Sequence, residues 1–406
     1  MLSQENKIQL HEGWQLVRCQ DVIDVRDGTH DTPKYVSEGI PLITSKNLTN
    51  GFIDFSDALF ISEDDHQKIK KRSQVDEGDI IMPMIGTIGN PVIVKSKREF
   101  SVKNVALFKF NNNSISSKYF YYLLQSPVLE KIFLIDSRGV TQKFVSLQML
   151  RDLQIPLPPI AEQKRIAAIC AKADRLRRSR RYALELSDTY LRSVFLEMFG
   201  DPIENSKGWD IENLGEISQV QGGLQVTPRR DVLPIKAPYL RVANVYRNYL
   251  ELGEIKQIGL TEDELVKVKL EKNDVLIIEG HGNTQEIGRC AVWNGSISPC
   301  VHQNHIIRVR ADSKSINSLF LSHYINGSGG KKYFHGSSNT TSGLNTISTG
   351  IVKDCPIFLP PLPLQEKFAA IVQKSDRIRA QQREALRQAE HLFQTILHRA
   401  FRDNGL

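Results

Sequence analysis

The stretch that decides the architecture is IPLPPIAEQKRIAAICAKADRLRRSRRYALELSDTYLRSVFLEMFGDP, residues 155–202. Its two adjacent prolines cannot continue a helix but can precede one. After them, apolar residues recur at spacings of three and four until Gly200-Asp201-Pro202, where the pattern stops. This periodicity predicts one long amphipathic helix that ends at the Gly-Asp-Pro segment.

The same stretch occurs a second time near the end of the chain. Residues 357–361 read IFLPP where residues 155–159 read IPLPP, an offset of 202 (357 − 155). That offset then holds without a gap as far as Phe199 and Phe401. The match predicts a duplicated helix, which we place at 158–200 and at 360–406. Each predicted helix has roughly 38 residues and a length of roughly 57 Å, at about 1.5 Å per residue.

A globular unit precedes each predicted helix. Segments 75–94 and 270–293 both have the pattern of a strand, a glycine-rich turn and a second strand. Short helices follow, at 119–125 and at 319–324. We therefore predict an α/β (α+β) fold with two globular domains, at 1–157 and 201–359, separated by the long helices. The globular units are less alike than the helices, as expected if each has diverged to recognise something different.

The apolar stripe of each long helix needs a partner, and the equivalent stripe of the other helix is the matching surface. An antiparallel coiled coil with a pseudo-twofold internal repeat would place the globular units at opposite ends. Because DNA half-sites repeat about every 34 Å, such a rod would hold two readers one to two turns apart. The outer faces are basic, and they are either solvated surface or sites for subunit docking and phosphate contact; the residues are Arg177, Arg178, Arg180, Arg181, Arg379 and Arg383.

The composition is compatible with nucleic-acid binding. The formal net charge is +7 and the isoelectric point is near 9.0, which permits phosphate contacts with counterion release. Five unclustered cysteines favour reduced thiols and an intracellular location. No apolar run reaches the length of about 20 residues needed to cross a bilayer, and residues 1–10 do not resemble a secretory signal. We expect a cytoplasmic protein with no membrane partner.

The sequence gives no positive sign of catalysis, and we expect no catalytic residue, bound cofactor or metal. It has no phosphate-binding loop of the GxxxxGK[ST] kind. The glycine pairs at 86–89 and 280–282 are more typical of hairpin turns than of a cofactor cradle. Cys290, Cys300, His302 and His305 are the residues of one possible zinc site, although they lack paired ligand spacing. The alternative is that residues 302–305 are a polar strand edge that faces bases.

Several segments resemble the specificity subunits of type I restriction–modification systems. PLPPIAEQKRIA (156–167), the DRL that follows and MFGDP (198–202) are similar to the central region of that family. LPPLPLQEKFAAI (359–371) is similar to the distal region. Three kinds of segment in the globular halves are similar to the family's target-recognition domains, namely DGTHDTPKYVSEGIPLI (27–43), GGLQVTPRR with YLRVANV, and VHQNHIIRVR (301–310).

The resemblance covers nearly the whole chain in the family's order, with two departures. The second helix begins PLQEK where the first has AEQKR, so we expect its first turn to dock differently. GGLQVTPRR stands where such domains often carry GGTP, which leaves the contacts of this segment open.

The resemblance implies a DNA-binding, non-catalytic subunit. Each recognition domain would read one half of a bipartite target in double-stranded DNA, and the helices would set the gap. Two modification (methyltransferase) subunits, which carry S-adenosylmethionine, would dock on the helices and the domains. Two restriction subunits, which are ATP-dependent translocases and nucleases, would complete the assembly for DNA methylation and cleavage.

Candidate DNA contacts are polar side chains in the loops of the two globular units. Arg and Lys suit guanine edges and phosphates, whereas Asn and Gln suit adenine; an ordinary solvent-exposed loop position is the alternative for each of them. Two polar loops, 137–143 and 336–345, are either DNA-approaching loops or plain linkers. The candidates are Thr29, His30, Lys34, Lys46, Asn47, Lys103 and Asn104 in the first unit, and Thr227, Arg229, Arg230, Arg241, Asn244, Asn283, Gln285, Gln303 and Asn304 in the second.

Two functions of other classes remain open from the residues alone. A standalone enzyme, such as a nuclease or a fused methyltransferase, would transfer methyl groups or cut DNA without a partner. A dimeric scaffold that joins other proteins would fail to bind any duplex, whatever the salt concentration.

Overall fold

The structure is a computed structural model that describes residues 12–49, 51–85, 88–111, 113–135, 144–337, 339–341 and 344–401. The chain divides into two compact units, and each unit contains part of both long helices. Unit 1 comprises Met1–Tyr182 and Arg383–Leu406, and unit 2 comprises Ala183–Gln382. The mixed α/β architecture with two repeated units is confirmed.

Unit 1 is built from short strands and short helices, followed by the first half of a long helix. The strands are β1 (Gln15–Arg18), β2 (Asp24–Asp27), β3 (Tyr35–Val36), β4 (Ile40–Ile43), β5 (Leu48–Thr49), β6 (Phe52–Ile53), β7 (Leu59–Ile61), β8 (Ile80–Pro83), β9 (Val92–Ile93), β10 (Ser101–Val102), β11 (Val105–Lys109) and β12 (Gln154–Leu157). The helices are α1 (Cys19–Val22), α2 (Glu63–Ser73), α3 (Ser117–Leu124), α4 (Pro127–Ile135), α5 (Leu147–Asp152) and the long α6 (Ile160–Phe199).

Two four-stranded sheets form the body of unit 1. One has the strand order β2-β11-β8-β9 and is antiparallel throughout, and the other has the order β10-β4-β7-β3. In the second sheet β10 pairs in parallel with β4, whereas β4 and β3 pair antiparallel with β7. β1 pairs with β12 next to the start of α6, and β5 and β6 form a hairpin.

Unit 2 repeats this plan. The strands are β13 (Asp210–Asn213), β14 (Ser218–Gly222), β15 (Ile235–Leu240), β16 (Val245–Tyr246), β17 (Tyr249–Leu250), β18 (Lys256–Leu260), β19 (Val275–Ile278), β20 (Gly280–His281), β21 (Cys290–Val292), β22 (Val301–His302), β23 (Ile306–Ala311), β24 (Asn339–Thr341), β25 (Leu344–Thr346) and β26 (Pro356–Leu359). The helices are α7 (Glu262–Val268), α8 (Ser318–Asn326), α9 (Ser328–Ser337), α10 (Thr349–Lys353) and the long α11 (Leu362–Phe401).

The sheets of the two units correspond strand by strand. The order β14-β23-β19-β21 in unit 2 matches β2-β11-β8-β9 in unit 1. β18-β15-β22 matches β7-β4-β10, including the parallel pairing of β15 with β22. The β13–β26 pair matches β1–β12. The sheet β20-β25-β24 is reduced in the described part of unit 1 to an isolated antiparallel bridge between Ile85 and Phe144.

In unit 1, parts of both long helices pack into one core. Ile166, Ala167, Cys170 and Ala173 of α6 share a buried cluster with Phe393, Leu397, Ala400 and Phe401 of α11. The Arg177 guanidinium lies 3.9 Å from the Phe393 ring centroid, and Arg181 donates to Glu390 at 2.5 Å. As the chain advances along α6 from Arg177 to Arg181, its partner on α11 moves back from Phe393 to Glu390, so the two helices run in opposite directions within unit 1.

In unit 2, the remaining parts of the two helices pack in the same opposed order. The Phe195 and Phe199 rings each lie 5.4 Å from the Phe368 ring, and the Ser187 hydroxyl donates to Gln382 Oε1 at 2.9 Å. Each long helix has 40 residues, which corresponds to a length of about 60 Å.

The first turns of the two long helices dock alike, so the expectation that they differ is wrong. Gln163 of α6 is fully buried; its amide donates to the Pro158 and Ser114 carbonyls at 2.8 and 2.9 Å and accepts from Ser116 N at 2.8 Å. Gln365 of α11, also fully buried, donates to Pro360 O at 2.8 Å and Ser315 O at 3.4 Å, and accepts from Asn317 N at 2.9 Å. The glutamine is the shared residue of AEQKR and PLQEK.

The arginines of the long helices are not one basic face. Arg379 is buried beside Asp376, so its assignment to an outer face is wrong. Arg177 and Arg178 both donate to Asp174, at 2.7 and 2.9 Å. Arg180 is exposed.

Two of the predicted loops and turns, 137–143 and Gly86-Thr87, lie outside the described residues. The described part of the polar loop 336–345 contains β24 and the start of β25.

Candidate nucleic-acid interface

In unit 1, three loop segments meet at the ends of β2, β4 and β10. Thr29 N donates to Val102 O at 3.0 Å, and Asn104 N donates to Thr29 O at 3.2 Å. Lys103 N donates to Ile43 O at 2.9 Å, which places the turn that follows β4 beside the same segment. Thr29, Lys103 and Asn104 are thereby joined by backbone hydrogen bonds to each other and to the end of the strand that precedes Lys46 and Asn47.

Unit 2 repeats these three bonds. Leu224 N donates to His302 O at 3.0 Å, Asn304 N to Leu224 O at 2.8 Å, and Gln303 N to Leu240 O at 3.1 Å. Isolated parallel bridges join Thr29 to Lys103 and Leu224 to Gln303. We call this set of bonds the three-loop frame of each unit.

A glycine is required at one position of each frame. A Cβ atom on Gly28 would collide with the Val102 carbonyl, and one on Gly223 would collide with the His302 and Gln303 carbonyls. Glycine allows the backbones to approach this closely because it has no side chain. The close approach brings the residues after Gly28 and Gly223 next to the turn that carries Asn104 and Asn304.

A chain of polar side chains supports the frame of unit 1. His30 Nε2 lies 2.8 Å from Asp27 Oδ2, and His30 Nδ1 lies 3.2 Å from Asn104 Oδ1. Arg72 forms an ion pair with the other oxygen of Asp27. The Asp27 carboxylate is buried, whereas 55% of the His30 side chain is exposed, so the chain runs from the interior to the surface.

Helix α2 positions Arg72 for this ion pair. The Ser62 hydroxyl caps the helix by accepting from Asp65 N at 3.2 Å, and the last turn carries Lys70, Lys71 and Arg72. Cations at a helix C-terminus are favoured by the helix dipole. His66 Nδ1, which lies 2.9 Å from Ser101 Oγ, fixes the helix against β10.

Asn47 and Asn244 are buried residues that shape the turns after β4 and β15. Asn47 Oδ1 accepts from Thr44 N at 3.0 Å and its amide donates to Asp54 O at 3.3 Å. Asn244 Oδ1 accepts from Arg241 N at 2.9 Å, and its amide donates to Glu251 O and Glu254 O at 2.8 and 3.0 Å. Both amides are engaged within the protein, which assigns these two candidates a positioning role in the frame.

The lysine candidates of unit 1 differ in their surroundings. Lys34 and Lys46 are exposed, the second in the 3-10 turn Ser45–Asn47 that adjoins the frame. Lys103 donates to the Thr32 hydroxyl at 2.5 Å and so ties the loop after Thr29 to the β10–β11 turn. Lys34 and Lys46 are the candidates of unit 1 that present exposed cationic side chains.

Candidates 227–230 of unit 2 lie at a 3-10 turn, Pro228–Val232, which follows Thr227. Arg229 is exposed there, whereas Arg230 pairs through both terminal nitrogens with Glu264 at 2.9 Å. The hydrogen bonds that Arg230 donates to the Glu264 carboxylate hold the pKa of Glu264 below its usual range. Arg241 lies on the frame turn, 3.2 Å from Glu254. Arg229 is therefore the free cation of this turn among the described contacts, and Arg230 serves to anchor it.

Asn283 and Gln285 are exposed on a second turn of unit 2. Asn283 Oδ1 accepts from Gln285 N at 3.0 Å at the start of the 3-10 turn Thr284–Glu286. Arg247, in the β16–β17 hairpin, donates to the Gln285 carbonyl. Glu279 N donates to His305 O at 3.0 Å, which joins the strand before this turn to the frame, and burial raises the pKa of the Glu279 carboxyl.

Cys290, Cys300 and His302 of the possible zinc site point into cores, whereas His305 is exposed and lies 3.3 Å from Glu279. Cys290 and Cys300 are fully buried, and Cys290 Sγ contacts Ser322 at 3.6 Å. His302 is also fully buried, with Nδ1 2.9 Å from Ile306 O, so the prediction that it faces bases from a strand edge is wrong; burial lowers its pKa to about 4. The described residues contain no group of three or more potential metal ligands.

Sequence reasoning did not identify Asp27, Arg72, Gly28 and Gly223 as parts of the site. The sequence signal that could have found the glycines is their matching position: Gly28 in one half and Gly223 in the other each directly follow a strand. The burial of Asp27 carries no such signal, because it depends on α2, whose Arg72 lies 45 residues away in sequence.

Within the described part of the chain, no helix is both long enough and apolar enough to cross a membrane.

A family described as "Type I restriction modification DNA specificity domain" matches residues 11–185 and 206–388, which is most of the chain and both units.

Individual relatives match along nearly the whole chain. The StySPI specificity subunit of a type I restriction enzyme from Salmonella potsdam is 26% identical, over 98% of this chain and 90% of that protein. The EcoKI specificity subunit from Escherichia coli K12 is 22% identical, over 97% and 89%. The crystal structure of a type I restriction–modification S subunit from M. genitalium has a similar fold, with a TM-score of 0.53, 17% identity and 98% coverage of both chains.

Proposed function

Since the chain belongs to the type I restriction–modification DNA specificity family, we propose that each of its two units reads one half of a bipartite target in double-stranded DNA. The chain contributes recognition, and chemistry is left to its partners. It binds no cofactor, while S-adenosylmethionine binds to two methyltransferase subunits. Two ATP-dependent restriction subunits join the same assembly.

The observation that carries this proposal is the three-loop frame, which has the same backbone bonds in both units but different side chains. Thr29, His30 and Lys103 of unit 1 correspond to Leu224, Gln225 and Gln303 of unit 2, whereas the asparagine after each bridge and the glycine before it are shared. Base edges in the major groove are distinguished by the donors and acceptors that meet them. Two equal frames with unequal side chains suit two unequal half-sites.

Sorted by exposure, the sixteen candidates take different parts in recognition. Lys34, Lys46 and Arg229 are suited to phosphate contacts, which position a protein without reading sequence. Asn47, Arg230, Arg241 and Asn244 hold loops. The base-reading set is then Thr29, His30, Lys103 and Asn104 in unit 1, and Thr227, Asn283, Gln285, Gln303 and Asn304 in unit 2.

The long helices act as the spacer in this proposal. Their length of about 60 Å is close to two turns of DNA at about 34 Å each. The opposed order of helix contacts within each unit supports an antiparallel coiled coil as the spacer. Exposed apolar side chains such as Leu186 and Tyr190, 49% and 55% exposed, provide surface on which a methyltransferase subunit could dock.

A domain exchange tests modular reading. Residues 1–157 are replaced by those of a relative with a different target, and the sequences methylated by the assembled complex are read from genomic DNA. We expect one half of the bipartite motif to change, and the matched exchange of residues 201–359 to change the other half. A change in both halves, or in neither, would contradict the proposal.

Binding measurements separate the remaining functions. DNA affinity of the complex should fall as salt rises, because phosphate contacts release counterions. Methyl transfer by the purified chain alone would instead indicate a standalone enzyme. A complex that binds no duplex at any salt concentration would indicate a protein scaffold.

A further inference from the structure

The polar chain from Asp27 through His30 to Asn104 has no counterpart in unit 2. The frame bonds place Gly222 at the position of Asp27 and Gln225 at the position of His30, while Asn304 occupies the position of Asn104. The two asparagines make the same backbone hydrogen bond, but they differ in side-chain neighbours and in backbone conformation, and the turn of unit 2 has one more residue, His305, before its next strand. Asn104 also has a φ of 55°, a left-handed conformation that asparagine tolerates better than most residues.

The hydrogen-bonding capacity of these groups is limited. A carboxylate only accepts, so the Asp27 oxygen 2.8 Å from His30 Nε2 requires a proton on that nitrogen. A neutral ring has a single N–H, which leaves Nδ1 as an acceptor; a protonated ring donates from both nitrogens. The group that Asn104 turns towards Nδ1 must therefore change with the charge of His30.

The Asn104 carboxamide can pair with His30 in either charge state, because its rotation turns either Oδ1 or the NH₂ towards Nδ1. The arrangement with Oδ1 3.2 Å from Nδ1 is the one that a protonated ring stabilises, and it leaves the amide NH₂ for another partner. A neutral ring accepts from the NH₂ and leaves Oδ1 for another partner. The two arrangements present opposite polarities to a ligand.

Resting on the proposed DNA-reading function, we propose that His30 sets the hydrogen-bond polarity with which Asn104 reads a base. With His30 protonated, the NH₂ available to a ligand favours the carbonyl of guanine O6 or thymine O4 over the amino group that adenine and cytosine have at the same place. With His30 neutral, the outward oxygen selects an amino group, as adenine and cytosine offer. One position of the first half-site thus changes its preferred base with pH, and the second half-site does not.

His30 is the exposed member of the chain, and the charged groups around it are Asp27, Arg72, Lys103 and those of a neighbouring cleft. Asp27 is buried and its other oxygen is paired with Arg72, and Lys103 is engaged with Thr32. The cleft beside this segment, about 280 Å³ in volume, is lined by further charged groups from α2 and the loop, and Lys68 and Asp65 there pair with each other at 3.1 Å. The charged residues that line it are Asp31, Asp65, Lys68 and Arg72.

The test selects DNA with the full chain in complex with methyltransferase subunits. A randomised duplex library is bound at about pH 5.5 and about pH 8, the interval in which histidines ordinarily change charge, and the bound duplexes are sequenced. One position of the first half-site should shift from guanine or thymine towards adenine or cytosine as pH rises. The expected change is about two- to tenfold in the base ratio, the effect of one hydrogen bond.

His30→Gln is the main variant, and it copies the residue that unit 2 has at this position. It should abolish the pH-dependent change while the second half-site is still selected, which shows that the chain has folded. Asn104→Ala gives an independent check and should remove the base preference at the same position. The second half-site, read through Asn304, is the internal control in each experiment.

The outcomes are distinguishable. Selection of a bipartite site with no pH-dependent position overturns this inference and leaves the proposed function intact. A pH-dependent change that persists in His30→Gln, or that appears equally in both half-sites, also overturns it. A complex that selects no sequence refutes the proposed function and the inference together.

Discussion

Replacement of Gln163 by methionine should selectively destabilise unit 1. The amide of this buried side chain makes three hydrogen bonds of 2.8 to 2.9 Å; two tie the first turn of α6 to Ser114 and Ser116 before α3, and one binds the Pro158 carbonyl at the start of the helix. Methionine keeps much of the volume but makes none of these bonds. An unsatisfied buried polar group costs about 1–3 kcal/mol, so the loss of three partners should cost about 3 kcal/mol or more in the free energy of local unfolding.

The repeat supplies a matched experiment in the other unit. Gln365→Met removes the same three bonds, one of which is long at 3.4 Å, so we expect a somewhat smaller loss that is confined to unit 2. Lys164 and Glu366 are the exposed neighbours at equivalent positions. Lys164→Met and Glu366→Met should each change stability by less than about 0.5 kcal/mol, as is usual for surface substitutions.

Hydrogen exchange read separately in each unit is the appropriate assay, because a two-unit chain does not have one well-defined unfolding free energy. Gln163→Met should speed exchange in β8 and β11, with little change in β19 and β23, and Gln365→Met should do the reverse. A loss below about 1 kcal/mol, given the cost of unsatisfied groups, would refute the anchoring role. Equal losses in both units would refute the assignment of each glutamine to its own unit.

Three further predictions concern the units and their frames. Burial lowers the pKa of His302 to about 4, so the unfolded state binds the proton first, and His302 should contribute a loss of up to about 3 kcal/mol in the stability of unit 2 as pH falls from about 6.5 to about 4. Burial lowers the pKa of His323 in the same unit to about 4 as well, so the contribution of His302 is the difference between the natural chain and His302→Gln. Hydrogen exchange against pH would measure it, and an unchanged slope in the variant would contradict it. Gly28→Ala should weaken binding of the first half-site and Gly223→Ala binding of the second, because each new Cβ atom would meet a carbonyl. Gly282→Ala is the control and should have little effect, because the space around Gly282 is open. Equal results for all three variants in a gel-shift assay would refute the close-approach argument. Arg178→Lys should loosen the β5–β6 hairpin, because the guanidinium contacts Asp174 at 2.9 Å, Tyr121 Oη at 2.8 Å and the Phe52 ring at 5.3 Å; unchanged exchange at residues 48–53 would show that the hairpin does not depend on it.

The repeated architecture could be predicted because it depends on local pattern. The long helices were placed at 158–200 and 360–406 from periodicity and stop signals, and they run from Ile160 to Phe199 and from Leu362 to Phe401. The short helices predicted at 119–125 and 319–324 are present as Ser117–Leu124 and Ser318–Asn326. Spacings of three and four residues are properties of one segment, which sequence alone displays.

The frame could not be predicted because it depends on pairing between distant segments. The parallel contact of β4 with β10 joins residues about 60 positions apart, and the register of that contact decides which loop residues meet. Residue type suggested base reading for Asn47 and Asn244, but the turns that they cap consume their amides. Arg379 looked exposed in the helical pattern, yet it is buried beside Asp376.

The construction of the frame explains how two halves of one chain can keep a fold and lose similarity. Every bond that defines the frame joins backbone groups, so the side chains at positions 29, 30 and 103 can differ from those at 224, 225 and 303 without breaking it. The exceptions are the glycines at 28 and 223, where any side chain would meet a carbonyl, and these two positions have stayed the same. Substitutions are therefore tolerated at frame positions whose side chains make no frame bond, and they are restricted at the two glycines, where the backbones touch. A duplicated chain under this rule can change the specificity of one half while the other half, and the stability of both, stay unaltered.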